Sequence, residues 1–187
     1  MEEATVKTYK PRYYNPKDKG SIYEFCHSLR GFLKEPKEKD QDIVLVCIGS
    51  DRATGDCLGP LVGYKLSKFR YPKLHIYGTL ESPVHAKNLS SVLSKISLAY
   101  DNPFVIAVDA SLGVASHIGY VTLGEGSLSP GIGVDKELPC VGDIHITGIV
   151  NLSGMLNHML LQTTRLDQVM NLADFICIGM RYAFALC

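Results

Sequence analysis

Two aspartates, Asp56 and Asp109, follow apolar segments that have the composition of buried strands. Asp56 lies just beyond "IVLVCIG", and Asp109 lies near the end of "PFVIAVDA". Ligand sites of open parallel sheets lie beyond the carboxyl ends of the strands, so we expect both side chains at one edge of a sheet. Two carboxyl groups brought together either share a proton, which raises one pKa, or hold a divalent cation. Either arrangement can activate water for attack on an amide, which makes these two residues the candidate catalytic pair.

Further polar residues are predicted at the same edge, where we expect them to orient a substrate or to complete a metal site. This set consists of Ser50, Asp51, Glu81, His85 and His145. Each also has a structural interpretation, because Asp is common in turns and a histidine can begin a helix or lie satisfied within a sheet. The convergence of acidic groups after successive strands is what favours a functional site. The sequence does not identify a metal.

The same segments argue against other chemistries. The turn "GSDRATGD" matches neither of the glycine-rich phosphate-binding patterns, and its carboxylates would repel a phosphate group. Ser111 is not part of a GxSxG motif, so we do not expect a serine nucleophile. Cys57 has no evident histidine partner in the sequence.

The elements that must position these residues alternate between strand and helix. "IVLVCIG", "KLHIYGT" and "PFVIAVDA" are predicted strands, with helices between them, an order that indicates parallel pairing with right-handed crossovers. "HIGYVTLGE" has no helix behind it and is predicted to be an edge or antiparallel strand. A long Gly/Pro loop and the short strand "DIHIT" follow. Two predicted helices, "NLSGMLNHMLLQ" and "TRLDQVMNLADFICIGMRYAF", complete the chain. This order predicts an α/β fold, a three-layer αβα sandwich with a mostly parallel mixed sheet.

Length and composition predict a single α/β domain over residues 20–187, preceded by a flexible arm over residues 1–19. Lysine plus arginine equals aspartate plus glutamate, 19 each, so we expect neither a nucleic acid nor a membrane as partner. Several of the six cysteines lie in apolar runs and none forms a CxxC pair. Together with the absence of a leader or a long apolar run, this predicts a cytoplasmic protein.

The two acidic segments resemble the spore germination protease. In that family an apolar strand leads into a G-x(4)-T-x-D-x-L-G-P turn, and a later strand ends in Asp-Ala. The matching residues are Gly49, Thr54, Asp56, Leu58, Gly59, Pro60, Asp109 and Ala110. The resemblance implies that Asp56 and Asp109 are the aspartates used in peptide cleavage, and that the fold is phosphorylase/hydrolase-like, of the peptidase type.

A larger part of the chain is similar to the sporulation protein YyaC family, a domain of unknown function, to which the protein is assigned. This similarity includes "ESPVHAKNL", "SPGIGV", "VGDIHITGIVN" and the last helix. A weaker similarity to the hydrogenase maturation endopeptidases implies a divalent metal ion at Asp56 and Asp109, with His145 or His85 as the added histidine. Ser50 stands where both peptidase families have asparagine.

Two hypotheses follow, and the sequence leaves open whether the protein is an enzyme. The first is a peptidase of the sporulating cell or forespore that acts on a peptide or protein substrate. The second is a non-catalytic module that keeps the peptidase fold, binds a peptide and self-associates through its helices into a homo-oligomer. The position of the two carboxyl groups separates them, because a catalytic pair requires that Asp56 and Asp109 share one site.

Overall fold

The computed structural model describes residues 10–130, 138–154 and 156–185. The strands are β1 Arg12–Tyr14, β2 Ile43–Cys47, β3 Leu74–Tyr77, β4 Phe104–Gly113, β5 Val121–Glu125 and β6 Ile144–Leu152. The helices are α1 Ser21–Glu38, α2 Leu58–Leu66, α3 Leu89–Ala99, α4 Asn157–Gln162 and α5 Leu166–Ala185. Two 3₁₀ turns, Thr54–Cys57 and Ala115–His117, follow β2 and β4.

The strands form one six-stranded sheet in the order β1-β5-β6-β4-β2-β3. Strands β3, β2, β4 and β6 run parallel, whereas β5 is antiparallel to β6 and β1 is antiparallel to β5. The prediction of an α/β fold with a mostly parallel mixed sheet is therefore confirmed.

Both faces of the central strands are buried, which explains their unbroken apolar sequences. In β2, Leu45 packs in a cluster with residues of α1, α2 and α5, whereas Val44 and Val46 pack in a second cluster with residues of α3. The sheet is thus the middle of three layers. The carboxyl ends of β2, β3, β4 and β6 point the same way and carry the site.

Strands β5 and β6 differ in detail from the sequence-based expectation. β6 extends over Ile144–Leu152, well beyond the predicted "DIHIT", because it pairs with β4 on one side and β5 on the other. Asn151 and Leu152, which were expected to begin a helix, end this strand instead. The sequence predicted that β5 is an edge or an antiparallel strand. It is antiparallel, but it is not an edge strand, because β1 pairs with its outer side.

The arm expected over residues 1–19 contributes to the sheet. Arg12–Tyr14 pairs with Val121–Leu123, and Tyr14 is only 4% exposed. Its ring packs edge-on against Phe25 of α1, with 5.3 Å between ring centroids. The expectation of a flexible arm is wrong for this segment, because a buried aromatic contact and strand pairing fix it to the domain. Residues 1–9 lie outside the described part of the chain.

The long Gly/Pro loop is described only at its two ends, where Leu128 and Val141 pair in an antiparallel bridge. Its residues 131–137 lie outside the described part. Among the helices that the structure describes, none has the length and apolar character needed to cross a membrane.

Candidate active site

The turn after β2 places Asp56 above the end of the sheet. Gly49 has φ +136°, and a Cβ there would collide with the main-chain carbonyl oxygen of Asp56. A Cβ at Gly59 would likewise collide with the carbonyl oxygen of Ile48. Only glycine at these two positions allows the turn to fold back onto the strand end and α2 to begin directly against it. The glycines serve close backbone packing in this turn.

Ser50 lies beside Asp56 in this turn. Its backbone N–H donates a hydrogen bond of 3.1 Å to the main-chain carbonyl oxygen of Asp56. Partial burial raises the pKa of Asp56, while Ser50 and the charges of His85 and His158 act to lower it. The net pKa is raised from its ordinary value. Asp56 is therefore a half-buried carboxyl group whose surroundings act on its pKa in both directions.

Asp109 lies within β4 and is only 8% exposed. Its Oδ1 accepts a hydrogen bond of 2.7 Å from the backbone N–H of Ala110. Burial, and next the charge of Asp56, raise the pKa of Asp109 well above its ordinary value. The two carboxyl groups thus interact electrostatically, although 53 positions separate them in the sequence.

Both aspartates line a single cavity of about 460 Å³, together with Ser50 and His85. This volume lies within the range typical of small-ligand and peptide subsites. Among the described residues, no ion pair joins Arg52, which also lines the cavity, to either carboxyl group. The sequence-based expectation that Asp56 and Asp109 share one edge of the sheet agrees with this geometry.

His85 is fixed in the wall by the loop between β3 and α3. Val84 pairs with Ile48 in a parallel bridge, which attaches this loop to the end of β2. The side chain of Asn88 accepts a hydrogen bond of 2.8 Å from the His85 backbone N–H and donates one of 3.0 Å to the Pro83 carbonyl. Nδ1 of His85 is buried without a hydrogen-bond partner among the described residues. These contacts therefore fix the backbone of His85 in the cavity wall.

The structure does not bring Asp51, Glu81 or His145 to this cavity. Asp51 and Glu81 are exposed on the turns that follow β2 and β3. His145 is the second residue of β6, at the opposite end from the site, because this strand is longer than expected. Its Nδ1 is 2.9 Å from the carbonyl oxygen of Gly126, so the ring is used in a local contact.

Helix α4 forms a wall of the cavity that sequence reasoning missed, through His158, Leu161 and Gln162. The helix itself was predicted, but its place over the site was not. Asn151 at the end of β6 donates a hydrogen bond of 2.9 Å to the Leu160 carbonyl, and this contact depends on the full length of β6. The spacing of His158, Leu161 and Gln162 by three and four residues was the available signal, because it puts them on one helix face.

The thiol of Cys57, next to Asp56, has the character of a structural group. Its Sγ donates a hydrogen bond of 2.9 Å to the Thr54 carbonyl, and burial raises its pKa. A thiol held in this way is a poor nucleophile at neutral pH, in agreement with the expectation from sequence.

A metal ion at the two aspartates was the cofactor expectation. Within residues 10–130, 138–154 and 156–185, no three His, Cys, Asp or Glu side chains are grouped closely enough to hold an ion. A divalent ion at Asp56 and Asp109 stays a prediction, and the chemistry is derived below from the carboxyl pair.

The comparisons with known proteins agree with the fold. A family model described as "Protein of unknown function (DUF1256)" matches residues 13–179. The protein YyaC of Bacillus subtilis (strain 168), described as uncharacterized, is 51% identical over 144 residues, which cover 77% of this chain and 70% of that protein. The crystal structure of the NiFe-hydrogenase maturation protease HycI from Thermococcus kodakarensis KOD1 superposes with a TM-score of 0.53 at 18% identity, covering 78% of this chain and 93% of the other. At that identity the likeness concerns the fold. The chain belongs to the DUF1256 family.

Proposed function

We propose that the protein is a peptidase in which Asp56 acts as the general base and Asp109 as the general acid. The observation that carries this proposal is the meeting of the two carboxyl groups in one cavity, with environments that separate their proton affinities. Pairs of titratable groups whose surroundings push their pKa values apart are typical of acid–base catalysis.

The assignment of roles follows from the surroundings of each carboxyl group. Ser50 and the charges of His85 and His158 favour the ionised form of Asp56. Asp109 is more deeply buried, and the charge of an ionised Asp56 raises its pKa further. Asp56 is therefore the first of the pair to lose its proton, and Asp109 keeps its proton to higher pH.

In this state the pair can hydrolyse an amide with water as the only other reactant. The Asp56 carboxylate takes a proton from water while the water oxygen bonds to the substrate carbonyl carbon, and Asp109 gives its proton to the carbonyl oxygen. In the second step Asp56 passes its proton to the leaving nitrogen as the C–N bond breaks. The hydroxyl proton returns to Asp109 as the carbonyl re-forms, so the pair is regenerated.

Two likenesses support the proposed peptidase activity, one of sequence and one of fold. The segments that carry both aspartates resemble the spore germination protease, and the fold is shared with a protein described as a maturation protease. We propose a role in the cytoplasm of a sporulating cell from the sequence resemblance to a sporulation protein family. The substrate is proposed to be a peptide or protein segment, because the cavity is partly open to solvent.

The test is cleavage of a complex mixture of synthetic peptides, with new termini read by mass spectrometry. We expect cuts by the parent protein that are absent with Asp56→Asn and with Asp109→Asn. Asp101→Asn, an exposed change outside the cavity, is the matched control and should cut like the parent. Parallel reactions with a chelator and with added nickel, zinc or magnesium test the metal expectation.

Cleavage that persists in both aspartate variants at the parent rate would refute the proposal. A parent protein that binds peptides in the same mixture without cutting any would favour the binding module instead. Circular dichroism of each variant verifies that a loss of cleavage is not a loss of fold.

A further inference from the structure

Two cationic side chains, Arg52 and Lys87, line the same cavity as Asp56 and Asp109. Among the described residues, neither of these cations forms an ion pair, although Asp51 adjoins Arg52 in the sequence. Both side chains are exposed, so their charges can be reached by a ligand that enters the cavity. The cavity wall thus carries two positive charges that no carboxylate of the described chain neutralises by direct contact.

The two segments that carry these cations are joined at the end of the sheet. Strands β2 and β3 are parallel neighbours, and beyond them Ile48 pairs with Val84 in a parallel bridge. The Gly49 N–H donates a hydrogen bond of 2.8 Å to the Val84 carbonyl. Arg52 follows Gly49 by three residues, and Lys87 follows Val84 by three residues. Both cations therefore belong to the part of the cavity wall that lies beyond β2 and β3.

The charge of the cavity wall complements a single carboxylate. In the proposed reactive state Asp56 is ionised and Asp109 holds its proton. With the histidines neutral, the two cations and the one carboxylate then leave a net charge of +1 in the lining. The chain as a whole has 19 basic and 19 acidic residues, so this local excess does not follow from its overall charge. One carboxylate of a bound substrate would bring the lining to neutrality.

We propose that Arg52 and Lys87 form a carboxylate subsite, which binds one carboxylate of the substrate next to the amide presented to Asp56 and Asp109. This inference rests on the proposed function and names the substrate class. The carboxylate belongs either to an acidic side chain or to a free C-terminus. Both are planar groups that a guanidinium binds through two parallel hydrogen bonds, while a lysine adds a mobile point charge. The subsite acts on substrate affinity and selects acidic or C-terminal segments.

The test measures binding separately from cleavage. The protein carries Asp109→Asn, so that no probe is cut and position 109 is neutral, as in the proposed reactive state. The probes are three ten-residue peptides of glycine, serine and leucine with an uncharged methoxycoumarin label at the N-terminus. One has three glutamates and a C-terminal amide, one has three glutamines and a free C-terminal carboxylate, and one has three glutamines and an amide, hence no carboxylate.

We expect fluorescence anisotropy to show at least one carboxylate peptide binding about tenfold tighter than the peptide without a carboxylate. Which of the two binds tighter identifies the source of the carboxylate. The combined substitutions Arg52→Gln and Lys87→Gln should remove the difference. Arg70→Gln combined with Lys95→Gln is the matched control, because it removes the same two charges from exposed positions outside the cavity lining, and it should keep the difference.

Equal binding of all three peptides would overturn the carboxylate subsite, and so would the failure of both carboxylate peptides to bind. It is also overturned if the difference survives the substitutions at Arg52 and Lys87, or if the control pair removes it equally. Cleavage of peptides by the parent protein without any preference for a carboxylate would refute the subsite and leave the peptidase intact. Binding that depends on the carboxylate, by a parent protein that cuts no peptide, would refute the peptidase and leave the subsite intact.

Discussion

Replacement of Asp109 by Asn should stabilise the folded protein at neutral and alkaline pH. Asp109 is 8% exposed, and burial together with the charge of Asp56 raises its pKa well above the ordinary value. An asparagine at this position keeps an oxygen that can accept the 2.7 Å hydrogen bond from Ala110 N–H, but it carries no charge to bury. The variant therefore removes the cost of ionising a buried group.

The magnitude follows from proton linkage. An aspartate in the unfolded chain has a pKa of about 3.9, whereas the pKa of Asp109 in the folded protein is higher. Between these two pKa values the folded state holds a proton that the unfolded state has lost, so the stability of the parent falls by up to about 1.4 kcal/mol per pH unit. The contribution of Asp109 is fully present below the unfolded pKa and is lost as pH rises through the folded pKa. The gain of the variant should grow across that window and then level off.

Urea denaturation between pH 4 and pH 9 measures this effect. Circular dichroism is the suitable signal because the chain has no tryptophan. Asp101→Asn, at an exposed position, should show no pH-dependent difference from the parent. The reasoning is refuted if the difference between Asp109→Asn and the parent does not change with pH, or if the variant is the less stable protein at pH 8.

Three further predictions concern the elements that hold the site. Gly49→Ala should cost more than about 2 kcal/mol of stability in the same urea assay, because Gly49 has a positive φ and a Cβ there would collide with the Asp56 carbonyl. Gly31→Ala is the control, since Gly31 faces open space on α1, and it should be neutral or stabilising. Tyr14→Ala should cost about 3 kcal/mol of stability and expose β1 to proteolysis. Tyr13→Ala, which changes a 49% exposed side chain, should cost little. Equal effects of the two substitutions would mean that Tyr14 does not anchor β1 to α1. Asn151→Ala should cost about 1 kcal/mol of stability and speed amide hydrogen exchange in α4, because the Leu160 carbonyl loses a hydrogen-bond donor. Unchanged exchange would show that other contacts hold α4 in place.

The sequence predicts the central part of the fold well, because β2 and β4 are buried on both faces and their apolar runs have only one interpretation. The position of Asp56 and Asp109 follows from the same strands and their parallel order. β1 escaped prediction because three residues, only one of them buried, give too short a pattern against a proline-rich background. His145 was misplaced because the end of β6 depends on pairing with two neighbours, which no local pattern encodes.

The wall formed by α4 could not be predicted for a related reason. His158 and Gln162 lie in a short helix without a buried residue, so no apolar stripe indicates which way it faces. Its placement depends on the hydrogen bond from Asn151, at the end of β6, to the Leu160 carbonyl, which Thr164 also contacts. Such contacts join residues close in sequence, but they form only once β6 has its full length.

The proposed mechanism requires electrostatic coupling of the two carboxyl groups in one cavity, and a carbon NMR titration of the aspartate side chains measures this coupling directly. We predict that the pKa of Asp109 lies above that of Asp56 in the parent protein and falls when Asp56 is replaced by Asn, because the neighbouring charge is removed. An Asp109 that titrates at the ordinary value, or that is indifferent to Asp56→Asn, would contradict the paired acid and base.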